Sequence, residues 1–217
     1  MGRPQFPAAR QRREEESFGG SLTDSNPIGR EPLRLRWVRV FVRHPHLPWS
    51  PSPVAYNCMF TIAFICTANM CRSVMAHAIG VSQLESRGWA VAVYSGGTMD
   101  MGGTAPVARV LDACGKYQTP PRKKASTFVR DLPLDSIDRF FVMEQHHFDT
   151  LVADYGIEPS RIHLLGHFDP QTGETAIADP IGKDAAAFEH CYERLQRCIT
   201  HYLDTTPEIP GTPDQVR

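Results

Sequence analysis

The chain has 217 residues, 41% hydrophobic and 22% charged, the make-up of a globular protein rather than a fibrous or membrane-embedded one. A formal net charge of −1 gives no basis for nucleic acid or an anionic membrane as the main partner, and no apolar run reaches the ~18 residues of a membrane span. Six cysteines with no apolar export signal near the N-terminus are too few for a disulfide scaffold and predict reduced thiols in the cytoplasm.

Charge and proline divide the chain. Residues 1–58 carry nine Arg, no Lys and five acidic residues, a balance of +4, against −5 for the remainder. With eight prolines and an E-E-E run, this segment has the composition of a disordered basic extension, or of a start codon assigned upstream of Met59. The period-two run Trp37–Arg43 is a possible basic edge strand, and the segment could dock an acidic partner. From Met59 the pattern is that of a folded domain, expected over 59–204. Phe60–Cys66 is a continuous β-rich apolar run, a strand buried on both faces. Ser73–Ser86 has helical spacing, with Val74, Ala78, Val81 and Leu84 on one face and Gly88 as the stop. Trp89–Tyr94 is a second strand, closed by Gly96-Gly97. Pro106 opens a helix through Val107, Val110, Leu111 and Cys114 to Gly115. Arg139–Met143 is a third strand, Gln145–Tyr155 a helix and Arg161–Leu165 a fourth strand. A loop over 166–183 leads to Asp184, the N-cap of a last helix with Phe188, Cys191, Leu195, Cys198, Ile199 and Tyr202 on its apolar face. Residues 205–217 read as a loose tail. Alternating strands and helices predict an α/β fold: a four-stranded parallel sheet with helices on both faces. Ligands in such sheets bind beyond the carboxyl ends of the strands, and Cys66 lies at that place.

The stretch C-T-A-N-M-C-R-S, Cys66 to Ser73, carries the chemistry. A loop from a strand to a helix N-terminus gathers backbone N–H groups into one concavity, and the helix dipole adds positive potential, so an oxyanion fits there. Thr67, Ala68, Asn69, Met70, Cys71, Arg72 and Ser73 would line it. The Arg72 guanidinium can grip two phosphate oxygens at once, and Asn69 tolerates the left-handed backbone of a tight arch. A free thiol with a pKa near ~8.5 is only about 3% ionised at neutral pH, and such a loop can lower that value enough to make Cys66 a nucleophile. The thiolate would attack phosphorus in line and form a cysteinyl-phosphate that water releases. The Ser73 hydroxyl could donate to the sulfur. C-x5-R by itself arises by chance, and a strand-end cysteine is often mere packing; here strand, loop, serine and helix follow in the required order. No Walker loop occurs, and Cys66 and Cys71 lack a second ligand pair for zinc. Neither metal nor organic cofactor is expected. The nine histidines show no metal spacing, and His146-His147 read as surface or helix-end residues.

This loop closely resembles the C-x-G-N-x-C-R-S signature of the low-molecular-weight protein tyrosine phosphatases. M-A-H-A after it, Y-S-G-G-T at Tyr94–Thr98, F-V-M-E at Phe141–Glu144 and A-D-P-I-G at Ala178–Gly182 resemble further stretches of that family in order and spacing. The resemblance implies Cys66 as nucleophile, Arg72 as phosphate ligand and Asp179 as general acid, with Asn69, Ser73 and Ser95 as the network that shapes the loop. It also implies Cys71 as a redox partner for Cys66. Chemistry independently favours a carboxyl here, since a phenolate leaving group with a conjugate acid near ~10 departs more readily once protonated. Several positions depart from the family pattern. Ala68 replaces a glycine, Val74 a common proline and Ile181 an aromatic residue of the acid loop. Met101 falls near a position that is Trp in some members, and Cys114 near one that is His.

The expected activity is removal of phosphate from a phosphorylated protein or small phosphate ester, phosphotyrosine first. Met70 favours an aryl group where phosphoarginine-preferring relatives carry Thr. A thiol-dependent arsenate reductase is a second reading, but the relay cysteines expected after the third strand are replaced by Glu144, His146 and His147, while Cys191 and Cys198 fit the core. A phosphoprotein-binding module without turnover is the third, disfavoured because Cys66, Arg72 and Asp179 are all present.

Overall fold

The computed structural model describes residues 60–206; the N-terminal extension, its Trp37–Arg43 run and nearly all of the tail lie outside them. Four strands, β1 (Phe60–Cys66), β2 (Val91–Gly97), β3 (Arg139–Val142) and β4 (Ile162–Leu164), alternate with α1 (Arg72–Arg87), α2 (Ala108–Lys116) and α3 (Gln145–Tyr155), and α4 (Ala185–Thr205) follows. All pairings are parallel, in the order β2-β1-β3-β4. β1 is therefore central. β2 and β3 lie on its two sides, so the chain reverses its winding next to Cys66, the position where ligands are met in this class of sheet.

Strand alternation sorts the core into two layers. Ile62, Phe64 and Cys66 of β1, with Phe141 and Met143, join the residues of α1, α2 and α4. Ala63 and Ile65, with Phe140 and Val142, join Leu151 of α3, Val129, Ile137 and Ile157 on the other face. Strands covered on both faces must be apolar at every position, which explains the unbroken run at the start of the domain. The buried face of α1 is wider than its spacing suggests. Met75, Ala76 and Ile79 join Val74, Ala78 and Leu84, while Val81 is only half-buried, because the helix lies between the sheet and α4. Asp184 caps α4 as expected, its Oδ1 accepting from Ala187 N at 3.0 Å.

One boundary moves for a reason that bears on the site. The second strand runs through Gly96-Gly97 instead of ending before them, and Gly97 pairs with Cys66. A Cβ at Gly97 would stand 2.6 Å from Thr67 O, 2.8 Å from Ala68 C and 2.9 Å from Asn69 N. These glycines therefore extend the strand and admit a neighbouring backbone.

The segment between β4 and α4 is long but fixed. Arg194 of α4 donates to Asp169 Oδ2 at 3.0 Å, to Ala176 O at 2.8 Å and to Glu174 O at 2.6 Å, and Ile177 N donates to Met143 O at 2.8 Å. This brings residues 177–179 to the carboxyl end of β3. Near the centre of the larger layer, Phe141 meets Phe64 at 5.6 Å and the Tyr202 ring edge-on at 4.6 Å. Phe141→Ala should lower unfolding free energy by about 3–5 kcal/mol, read as a drop in the urea midpoint with little change in slope.

Candidate active site

The loop from Cys66 to Ser73 owes its shape to hydrogen bonds made on its outer side. The carbonyl of Cys66 accepts from Thr98 N at 2.9 Å, that of Thr67 from Met99 N at 2.8 Å and that of Met70 from Val107 N at 3.2 Å, while Cys71 O accepts from Val74 N and Met75 N at 3.0 Å. There is no cis peptide bond among the described residues, and in a trans unit N–H and C=O point opposite ways. The amides of Thr67, Ala68, Cys71 and Arg72 therefore face the other side of the loop backbone. Asn69 supplies the bend with φ of 50°, the left-handed region that Asn enters at low cost.

The expected network is assembled. Asn69 is fully buried; its Nδ2 donates to Ser73 Oγ at 2.8 Å and to Ser95 Oγ at 3.2 Å, and its Oδ1 accepts from Thr127 N at 2.9 Å. Ser73 Oγ lies 3.0 Å from Cys66 Sγ. Either atom can donate in this contact, and donation from the hydroxyl is the polarity that would stabilise a thiolate. Lys123 closes the network from the rear, donating to Ser95 O at 2.6 Å. Burial brings its ammonium down to about 8, partly offset by the nearby Cys66. Cys114, where some family members carry a histidine, is fully buried with its thiol pushed up to about 12 by burial.

Arg72 points inward and is 2% exposed. Nη1 donates to Glu144 Oε1 and to Ile177 O, the latter at 2.9 Å, and Nη2 donates to Asp179 Oδ2 at 2.6 Å. Burial works against its charge, but the Glu144 and Asp179 carboxylates outweigh that and hold the guanidinium above its usual range. Among the described residues, buried Nε has no hydrogen-bond partner. Asp179 is fixed by a second bond, Oδ1 accepting from Ile181 N at 3.0 Å. Cys71 is buried at the N-cap of α1, its thiol raised far above the ordinary range chiefly by burial. Cys191 and Cys198 are core residues, each pushed up to about 12 by burial.

Sequence reading missed Glu144, His147 and Lys123. Of the two placements expected for His147, the helix end holds and the surface does not: it is fully buried, one half of a capping box at the start of α3. Its Nδ1 accepts from Glu144 N at 3.1 Å, and Nε2 lies 3.0 Å from Thr67 Oγ1. The E-x-x-H spacing was the available signal for this box. Burial above all, then the charges of His146 and Arg72, brings His147 down to about 3. Ligand atoms of Glu144, His146 and His147 lie within 4.8 Å of one another, a grouping that spacing along the chain did not reveal. Glu144 is taken up by Arg72 and both His147 nitrogens are engaged, so the grouping serves as an anchor for the loop and not as a ready cation site.

Two outcomes follow from this geometry. Gly97→Ala should displace the loop backbone and lower kcat/KM by about 10²-fold, with a smaller loss in thermal midpoint than Phe141→Ala. His147 sits well below its unfolded value of 6.5, so the unfolded chain binds more protons between pH 6.5 and about 3, and stability falls as pH drops through that window. His147→Gln should flatten this acid limb in urea unfolding at pH 4–7, relative to wild type.

Comparison with known proteins agrees with the geometry. The family model described as low molecular weight phosphotyrosine protein phosphatase matches residues 61–208. The low molecular weight protein-tyrosine phosphatase A of Mycobacterium tuberculosis is 32% identical over 155 residues, covering 68% of this chain and 91% of that protein. A protein-arginine-phosphatase of Bacillus subtilis is 24% identical over 139 residues, covering 64% and 91%. The crystal structure of an Erwinia amylovora tyrosine phosphatase superposes with a TM-score of 0.62 at 21% identity, covering 69% of this chain and 94% of that one, a likeness of fold.

Proposed function

Because the chain belongs to the low molecular weight phosphotyrosine protein phosphatase family and is thereby a phosphatase, we propose that its catalytic domain, taken as residues 59–204, hydrolyses phosphotyrosine through a cysteinyl-phosphate on Cys66. The observation that carries this reading is Arg72. A guanidinium removed from water normally has every N–H satisfied, and here the buried Nε has no protein partner, beside a loop whose amides face away from its bonded carbonyls. A phosphate oxygen at the loop satisfies that donor and the amides together.

The steps follow from the contacts. The phosphate takes up Arg72, and Asp179, displaced from Nη2, is crowded by the new negative charge, which favours its protonated form. Cys66 Sγ, supported by Ser73, attacks phosphorus as the P–O bond to the leaving group breaks. Asp179 gives its proton to that oxygen, and then takes one from the water that cleaves the S–P bond. Thr67, Ala68, Asn69, Met70 and Cys71 complete the phosphate cradle. The proton that Asp179 donates, and the thiol proton that Cys66 gives up, are exchanged with the phosphate monoester or solvent, and the water that cleaves the S–P bond returns a proton to Asp179.

Met70, Met99 and Ile181 belong to segments that meet the loop or the acid. Met99 binds Thr67 O through its backbone, Ile181 binds Asp179, and both side chains are about half exposed. Apolar, adaptable side chains here suit an aryl group on a phosphoprotein or a small ester. A phosphoarginine substrate is the second reading, favoured by the relative of that name at lower identity. All five cysteines of the described residues are free thiols, which supports a reducing compartment such as the cytoplasm. Cys71, adjoining Arg72 in the same loop, is the thiol we assign to reversible pairing with Cys66.

With p-nitrophenyl phosphate, Cys66→Ser should abolish turnover and Asp179→Ala should lower kcat by about 10²–10⁴-fold; three equal activities would remove the assignment. A phosphotyrosine peptide should be turned over faster than a phosphoarginine peptide, and Met70→Thr should narrow that gap. Equal wild-type rates on the two peptides would refute the role given to Met70.

A further inference from the structure

The phosphate loop is gripped at both ends by one helix terminus. His147 Nδ1 accepts the Glu144 backbone N–H at 3.1 Å, so the neutral ring carries its proton on Nε2. That nitrogen lies 3.0 Å from Thr67 Oγ1, and donation from ring to hydroxyl is the polarity the tautomer permits. The Glu144 side chain in turn accepts from Arg72 Nη1. Thr67 and Arg72 are the second and seventh residues of the loop, so the cap of α3 touches it just after the nucleophile and again at the guanidinium. The ring is fully buried, and its neutral form is the one both hydrogen bonds need. If packing were its only duty, an apolar residue would serve with no polar atoms to satisfy.

We infer that His147 is a positioning residue of the phosphate loop: through Thr67 it fixes the start of the loop, while Glu144 fixes Arg72 at its end, so that the cap of α3 sets the span in which phosphate is held. The inference rests on the phosphatase reading for its substrate, but the loop and its anion can be tested apart from turnover.

The test uses the full-length chain and four variants: Thr67→Val, which is isosteric and removes the acceptor, His147→Ala, His147→Gln, which keeps a donor, and the double variant Thr67→Val/His147→Ala. Phosphate affinity is read as competitive inhibition of p-nitrophenyl phosphate turnover and independently by calorimetry, beside the thermal midpoint of each protein. Thr67→Val and His147→Ala should each weaken phosphate binding by about 3- to 10-fold, His147→Gln should recover most of the loss, and the double variant should be no weaker than the worse single one, because both remove the same bond. Thr67→Val should keep a near wild-type midpoint. Phosphate affinity unchanged in Thr67→Val would overturn the inference, as would losses that multiply in the double variant. If His147→Ala does not fold, Thr67→Val and His147→Gln still decide. A wild-type protein that binds phosphate without turnover would sink the catalytic reading while calorimetry still tests the positioning role.

Discussion

The burial of the Arg72 guanidinium is the constraint around which the rest of the site is arranged. A cation taken out of water must find carboxylates or carbonyls in good geometry or it destabilises the fold. Here two carboxylates and one carbonyl converge on it from different parts of the chain: Glu144 from the end of β3, Ile177 O and Asp179 from the segment before α4. The same contacts hold the acid beside the loop. On the proposed reading, binding of a phosphate would exchange anions on this one guanidinium and free Asp179 for proton transfer.

The sheet supplies the rigidity this exchange needs. Central β1 ends at Cys66, and β2 continues past it only because Gly97 has no Cβ to strike the loop backbone. Asn69 bends the arch and ties it to both Ser73 and Ser95. The loop is thus held from behind by β2, from the side by α3, and from beneath by the first turn of α1. Beside it, Met99 and Ile181 are half-exposed.

Much of this was legible in the sequence, for identifiable reasons. The strand ending at Cys66 shows as an unbroken apolar run because both of its faces are covered, and α4 shows as a 3–4 pattern because one face meets the sheet layer. The loop residues are contiguous, so their order alone places thiol, amides, guanidinium and hydroxyl together. Asp179 is distant in the chain, and it was found because a Pro-Ile-Gly turn follows it in a familiar order. The end of β2 was misjudged, because glycine ends strands more often than it admits a neighbouring loop. His147, read as a surface or helix-end residue, lies at the helix end but fully buried, because the polarity of a residue says nothing about whether a buried partner awaits it.

The sequence by itself determined the parallel α/β order and the family signature Cys66–Ser73 at the end of the first strand, since each is a local pattern or a fixed spacing along the chain. Only the tertiary structure decided that Glu144 holds Arg72, that His147 meets Thr67 and that Lys123 closes on Ser95, contacts spanning 72, 80 and 28 residues. The pairing register of β1 with β2 and β3 brings those side chains together, and register is set by how two covered faces pack, a property of the assembled sheet and not of any one strand.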